Sequence, residues 1–188
     1  KKVKIYIEYI NNKYDLAFPM RIDGFHPPAE HPPPGIGVVR RGETVPRHDA
    51  ATTWGPYEFL RPAQIEAIRA RAPIAYLPWG ALEWHGLHNP VGLDGLKARG
   101  LCDALARETG GVVLPPVYVA TETIKPFKGF PHSLEHPPGT VRSLCREFLD
   151  QLAEERFQVI VVVAGHFASS HVRALREATD SFAAAHPA

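Results

Sequence analysis

The chain has 188 residues, 45% of them hydrophobic and 22% charged, enough for one globular domain with its own buried core. A formal net charge of +1, with no Lys/Arg cluster, argues against a nucleic-acid-binding surface. No apolar run approaches the ~20 residues that a bilayer span needs.

Residues 3–10 are rich in β-branched and aromatic side chains and read as a strand. Residues 11–56 carry Pro and Gly throughout and show no sustained period. They are expected to form an extended arm that wraps the core or a neighbouring subunit, with disorder as the competing reading, and His26, His31 and His48 are expected to be solvated loop residues. The N-terminal part is therefore set at 1–56 and an α/β domain at 57–188. Pro62 suits the first turn of a helix over 62–71. Residues 73–79 form an apolar run of the kind found in strands covered on both faces. A helix is expected over 95–108, with Ala98, Leu101, Cys102 and Leu105 on one face, then a strand over 112–119. The loop 120–139 holds Glu122, Lys125, Lys128, His132, Glu135 and His136 and reads either as a substrate lid or as a Pro-rich surface loop. A helix marked by Val141, Leu144, Cys145, Phe148, Leu149 and Leu152 follows. A strand over 157–163 and a helix over 169–185 complete the chain. Cys102 and Cys145 lie on apolar helix faces and are expected to be core thiols in a reducing, cytoplasmic compartment. No signal-peptide pattern is visible.

This alternation calls for a three-layer α/β/α fold with a largely parallel sheet. In such folds the site lies at the carboxyl ends of the strands. That is where ligand-type residues gather. Glu83, His85, His88 and Asp94 follow the 73–79 strand within twelve residues. Glu83 and His85, spaced i, i+2 on an extended segment, point to the same side. Asp94 stands just before a helix, where it serves either as an N-cap or as a ligand. His166 leaves the end of the 157–163 strand, and Gly165 is expected to let the backbone turn tightly there. His171, one helical turn on, reads as a solvated residue at a helix start. His88 is suited to polarising a carbonyl or orienting a ligand. Neither a Gly-x-Ser-x-Gly elbow nor a phosphate-binding Gly-rich loop competes with the metal reading.

The sequence resembles the creatininase (creatinine amidohydrolase) family of metal-dependent hydrolases. The resemblance rests on Leu-Pro-Trp-Gly-Ala-Leu-Glu-Trp-His-Gly at 77–86 and Leu-Asp at 93–94. It continues through Val-Leu-Pro-Pro at 113–116, Pro-Pro-Gly-Thr-Val at 137–141 and Gly-His at 165–166. It implies a layered α/β/α fold and a site of one or two ions, zinc or manganese and also iron. Asp94 would bridge, Glu83 and His166 would hold one ion, and His85 the other. The family often has Glu where this chain has Ala168, and it continues into a carboxyl-terminal segment with a further His and Glu that would extend beyond Ala188. The implied activity is hydrolysis of a C–N bond in a small, cyclic amide by metal-activated water. His88 or His136 would protonate the leaving nitrogen. The alternatives are a ring or C–C hydrolase acting on a keto sugar or keto-inositol, and an inactive structural member. A small-molecule substrate and a homo-oligomer, often a hexamer, complete the expectation.

Overall fold

The computed structural model describes residues 52–127 and 129–186 together with the backbone of strand Lys4–Tyr9. Most of the arm expected over 11–56, including His26, His31 and His48, lies outside the described residues. Five strands form one sheet: β1 (Lys4–Tyr9), β2 (Trp54–Pro56), β3 (Ile74–Trp79), β4 (Gly111–Val113) and β5 (Val159–Ala164), in the order β1-β5-β3-β4-β2. Every pairing is parallel. Four α-helices connect or follow the strands: α1 (Pro62–Arg71), α2 (Leu93–Thr109), α3 (Pro138–Glu154) and α4 (Ser169–Ala185). No helix among the described residues is long and apolar enough to cross a membrane.

The strands read as apolar runs because both of their faces are covered. Along β5, Ile160, Val162 and Ala164 join a core with α1, α3 and α4, whereas Val161 and Val163 join a second core with Ala98, Cys102 and Ala106 of α2. In β3, Ala75, Leu77 and Trp79 face the first core and Tyr76 the second. This period-two alternation between two helical layers is the expected three-layer α/β/α arrangement. Cys102 and Cys145 are fully buried free thiols on α2 and α3, as their apolar spacing indicated.

Four local expectations need correction. After β1, the next regular element among the described residues is β2, followed by a 3-10 turn over Tyr57–Phe59, ahead of the expected start at 57. The strand expected over 112–119 ends at Val113, and beyond it only Val117 bridges Trp79. Pro115 and Pro116 lack the N–H groups that a ladder requires. On the same side of β3, Pro78 has its carbonyl bonded by the Val117 N–H at 2.9 Å. Its missing donor thus falls where β4 has already left the sheet. Third, α2 starts two residues earlier than its apolar stripe suggested, with Gly92 as N-cap. Asp94 is therefore the second residue of the helix and not its cap.

The fourth correction concerns the reason for Gly165: the backbone does bend there, but its φ is not in the left-handed region. Gly165 is small for a different reason. A Cβ there would stand 2.0 Å from the carbonyl oxygen of Asp94, and a Cβ on Gly80 would stand 2.1 Å from the Gly95 nitrogen. Trp79 and Ala164 are register partners on adjacent strands, and the Gly165 N–H donates to the Trp79 carbonyl at 2.7 Å. Gly80 and Gly165 therefore form a smooth floor at the carboxyl end of the sheet. The first turn of α2 rests on that floor, backbone against backbone.

Candidate metal centre

Between β3 and α2 the chain runs without regular structure, yet it is tightly held. The Leu134 N–H donates to the Leu82 carbonyl, and the Glu83 N–H donates to the Val91 carbonyl, both at 2.9 Å. The Trp84 N–H donates to Ser133 Oγ at 3.0 Å. These bonds hold residues 82–84 in place, and Glu83 and His85 both reach toward Asp94. Asp94 arrives from the first turn of α2, where the helix dipole favours a carboxylate. His166 arrives one residue beyond the glycine floor.

The four side chains converge. His166 Nδ1 lies 3.1 Å from Glu83 Oε1 and 3.2 Å from Asp94 Oδ2. On the other side of the Asp94 carboxylate, His85 Nε2 lies 3.2 Å from Oδ1 and 3.9 Å from Glu83 Oε1. Lys97 Nζ also sits 3.2 Å from Asp94 Oδ1. Asp94 is thus the hub, with one oxygen turned to each histidine. Asp94 and His166 are buried, 3% and 6% exposed. Glu83, His85 and Asp94 each offer a ligand atom, and the three atoms lie within 4.8 Å of one another.

Main-chain groups of the 114–137 loop orient two of these residues. The Ile124 N–H donates to Glu83 Oε2 at 2.8 Å. His166 Nε2 lies 3.2 Å from the Thr121 carbonyl oxygen, which can only accept, so Nε2 carries a proton; Nδ1 faces the carboxylates and, as the donor to Asp94, carries one too. The loop is itself tied by Glu135, whose carboxylate accepts from the Glu122 N–H at 2.6 Å and the Thr123 N–H at 2.7 Å. The hydroxyls of Thr121 and Thr123 donate to it as well. Sequence reasoning missed these roles, because backbone donors carry no residue signature. Glu135, expected on either a substrate lid or a Pro-rich surface loop, is the clasp of that loop.

Burial opposes charge on Asp94, but the hydrogen bond from His166 and the nearby Lys97 outweigh it and hold its carboxyl below the usual range. Burial likewise disfavours the charged ring of His166, yet the hydrogen bonds and charges of Asp94 and Glu83 dominate and raise its pKa to about 9. Two carboxylates and two imidazoles, one with its outer nitrogen fixed by a carbonyl, form a donor set that suits zinc or manganese.

The remaining expected residues lie elsewhere. His88 is exposed, its Nε2 3.2 Å from Asn89 Nδ2. His136 lines a separate cavity of about 450 Å³ with Val119, Thr140, Ser143 and Glu147. His171 departs from its expectation of a solvated ring. It is fully buried, its ring centroid is 5.0 Å from that of His166, and neither ring nitrogen has a hydrogen-bond partner. Ala174, Leu175, Ala178 and Phe182 continue the buried face of α4, and that spacing was the signal that places His171 inside.

A parallel α/β sheet that brings carboxylates and imidazoles together at its carboxyl end is an α/β protein with a group of side chains that could hold a metal ion. Residues 58–188 match the model of the creatininase family, described as creatinine amidohydrolase, and the chain belongs to that family. It is 26% identical over 121 residues to the creatinine amidohydrolase of Pseudomonas putida, a match that covers 63% of this chain and 44% of that protein. A crystal structure of creatinine amidohydrolase (creatininase) shares its fold with a TM-score of 0.62 at 23% identity, over 72% of this chain and 52% of the other. A manganese creatininase matches with a TM-score of 0.59 at 24% identity, over 71% and 54% of the two chains. A mutant creatininase of Zn-Zn type matches with a TM-score of 0.62 at 23% identity, over 71% and 52%. The chain spans about half the length of the relatives it matches.

Proposed function

We propose that this chain is a metal-dependent hydrolase that cleaves a C–N bond in a small, cyclic amide, in the manner implied by the names of its relatives. The observation that carries the reading is the split Asp94 carboxylate, one oxygen 3.2 Å from His166 Nδ1 and the other 3.2 Å from His85 Nε2, with Glu83 alongside. Glu83, Asp94, His166 and His85 would hold the ion, zinc or manganese as in the related structures. A divalent ion bound there would lower the pKa of water toward ~7 and polarise a carbonyl.

The protein's own residues do the rest. Ile124 and Thr121 fix Glu83 and His166 through main-chain bonds, so the ligands are oriented before substrate arrives. The buried Asp94 keeps its charge through Lys97 and the histidines. His88 and His136 are the groups proposed to protonate the leaving nitrogen. His88 is the first to test, since it shares the 83–94 segment with the ligands. A homo-oligomer in the cytoplasm belongs to the same proposal.

The test is a hydrolysis panel with the zinc- or manganese-loaded chain: creatinine and other five- and six-membered cyclic amides, and keto-inositol or keto-sugar rings. Amide opening that disappears in Asp94→Asn, with the variant still folded, supports the proposal. Turnover of keto rings alone transfers the function to ring hydrolysis. A folded, metal-loaded chain inert on every substrate identifies an inactive structural member.

A further inference from the structure

We infer that Lys97 is a built-in cation that takes the place of a second metal ion, so that this centre holds a single divalent ion. The inference rests on the metal reading above. Asp94 and Lys97 are spaced i, i+3 on α2 and therefore share a face. The ammonium reaches Asp94 Oδ1 at 3.2 Å, the same oxygen that faces His85 Nε2 at 3.2 Å. The other oxygen, Oδ2, faces His166. The side of Asp94 that a second ion would use is thus already occupied by positive charge.

Distance makes the conflict concrete. An ion bonded to Oδ1 at about 2.1 Å lies no more than about 5.3 Å from an ammonium that is 3.2 Å from the same atom. Charge balance points the same way. Glu83 and Asp94 supply two negative charges, which one divalent ion neutralises. Lys97 already adds a third positive charge, and a second divalent ion would leave a large excess in a buried site.

The neighbouring carboxylates do not relieve this. Both oxygens of Glu135 are committed to loop amides and hydroxyls, and Glu122 accepts from the Ser170 N–H. At the start of α4, two residues beyond His166, stands Ala168, which offers no ligand. On the His85 side, the described residues present His85, Asp94 Oδ1 and, 3.9 Å from the His85 nitrogen, Glu83 Oε1, which also faces His166 at 3.1 Å; an ion there would draw on the carboxylates that the first ion uses, and Lys97 closes the set. Its side chain is 29% exposed, so its nitrogen can face both the carboxylate and an arriving substrate.

The experiment is zinc stoichiometry and affinity on the purified chain. The protein is stripped with chelator, titrated with zinc alone, desalted and analysed for bound metal, alongside Lys97→Met and Lys97→Glu. The wild type is expected to hold one equivalent. Lys97→Met should also hold one, at least three-fold more tightly, because a like charge has gone. Lys97→Glu should hold two, since it adds the missing carboxylate. Two equivalents in the wild type overturn the inference and leave the hydrolase reading intact. So does weaker or unchanged binding in Lys97→Met, or a folded Lys97→Glu that stays at one. Zero equivalents in the wild type overturn the metal reading itself and the inference with it.

Discussion

Gly165→Ala is the sharpest test of how the fold positions the centre. The added Cβ would lie 2.0 Å from the Asp94 carbonyl oxygen and 2.7 Å from its carbonyl carbon, where real Cβ contacts stay beyond 3.0 Å. The backbone at 94 must therefore retreat by about 1 Å, the difference between 3.0 and 2.0 Å. It has little room to do so. Gly95 abuts the Tyr118 ring on its other side, where a Cβ would meet Cε1 at 2.2 Å. Overpacking of this kind costs about 1–3 kcal/mol, which for a domain of this size lowers the Tm by about 2–12 °C. The displaced atom belongs to the hub residue, so zinc affinity should fall by roughly 10–100-fold, the range seen when the support of a ligand is lost. Melting by scanning fluorimetry and zinc affinity by competition with a chromophoric chelator read the two effects. Gly100→Ala is the control. Gly100 lies in α2, the helix of Asp94, with nothing within 4 Å of a Cβ, so alanine there should stabilise by about 0.5–1 kcal/mol and leave zinc affinity unchanged. A Gly165→Ala protein with wild-type melting and wild-type zinc affinity would refute the glycine-floor argument.

Three further outcomes follow from buried groups. His171→Met removes two buried nitrogens without partners and should raise stability by about 1–3 kcal/mol, read by urea denaturation; destabilisation would mean the ring has a partner in solution. Burial, helped by the charge of His166, lowers the His171 pKa to about 3, whereas the unfolded ring titrates near 6.5. The unfolded state therefore binds more protons between these values. The stability owed to a neutral His171 is complete above about pH 6.5 and falls as the pH drops, by up to about 1.4 kcal/mol per unit. His171→Met should lose that slope in a denaturation series from pH 7 to pH 5. Burial also pushes the Cys102 and Cys145 thiols up to about 12, so both should resist a thiol-exchange dye at pH 8 and react together in guanidinium; rapid labelling of the native chain would contradict the core assignment.

The sheet was legible because its strands are covered on both faces, and β3 and β5 stand out as unbroken apolar runs. The convergence of Glu83 and Asp94 with His166 was legible for a related reason: the two strands end side by side, so whatever follows them meets. What escaped were features that depend on close approach. Trp54-Gly55-Pro56 has neither the length nor the alternation of a strand and pairs only because β4 lies beside it. Gly165 read as a turn residue and the chain does bend there, but what excludes a side chain is the Asp94 backbone pressed against it. His171 was read by its polarity, and the apolar period of α4 overrode that polarity. Lys97 carried no motif at all, and only the helical spacing from Asp94 gives it meaning.

The main-chain bonds to the ligands have a consequence for how this protein can drift in sequence. Glu83 is oriented by the N–H of residue 124 and His166 by the carbonyl of residue 121, and every amino acid except proline supplies both groups. Side chains at these two positions can be exchanged without touching the orientation of the centre, so a comparison of relatives that searches for shared partners of the ligands would find none there. Proline at 124 is the exception, since it alone deletes the donor. The support of the site is thus inherited as a path of the backbone, and the loop is left free to vary what it shows to a substrate.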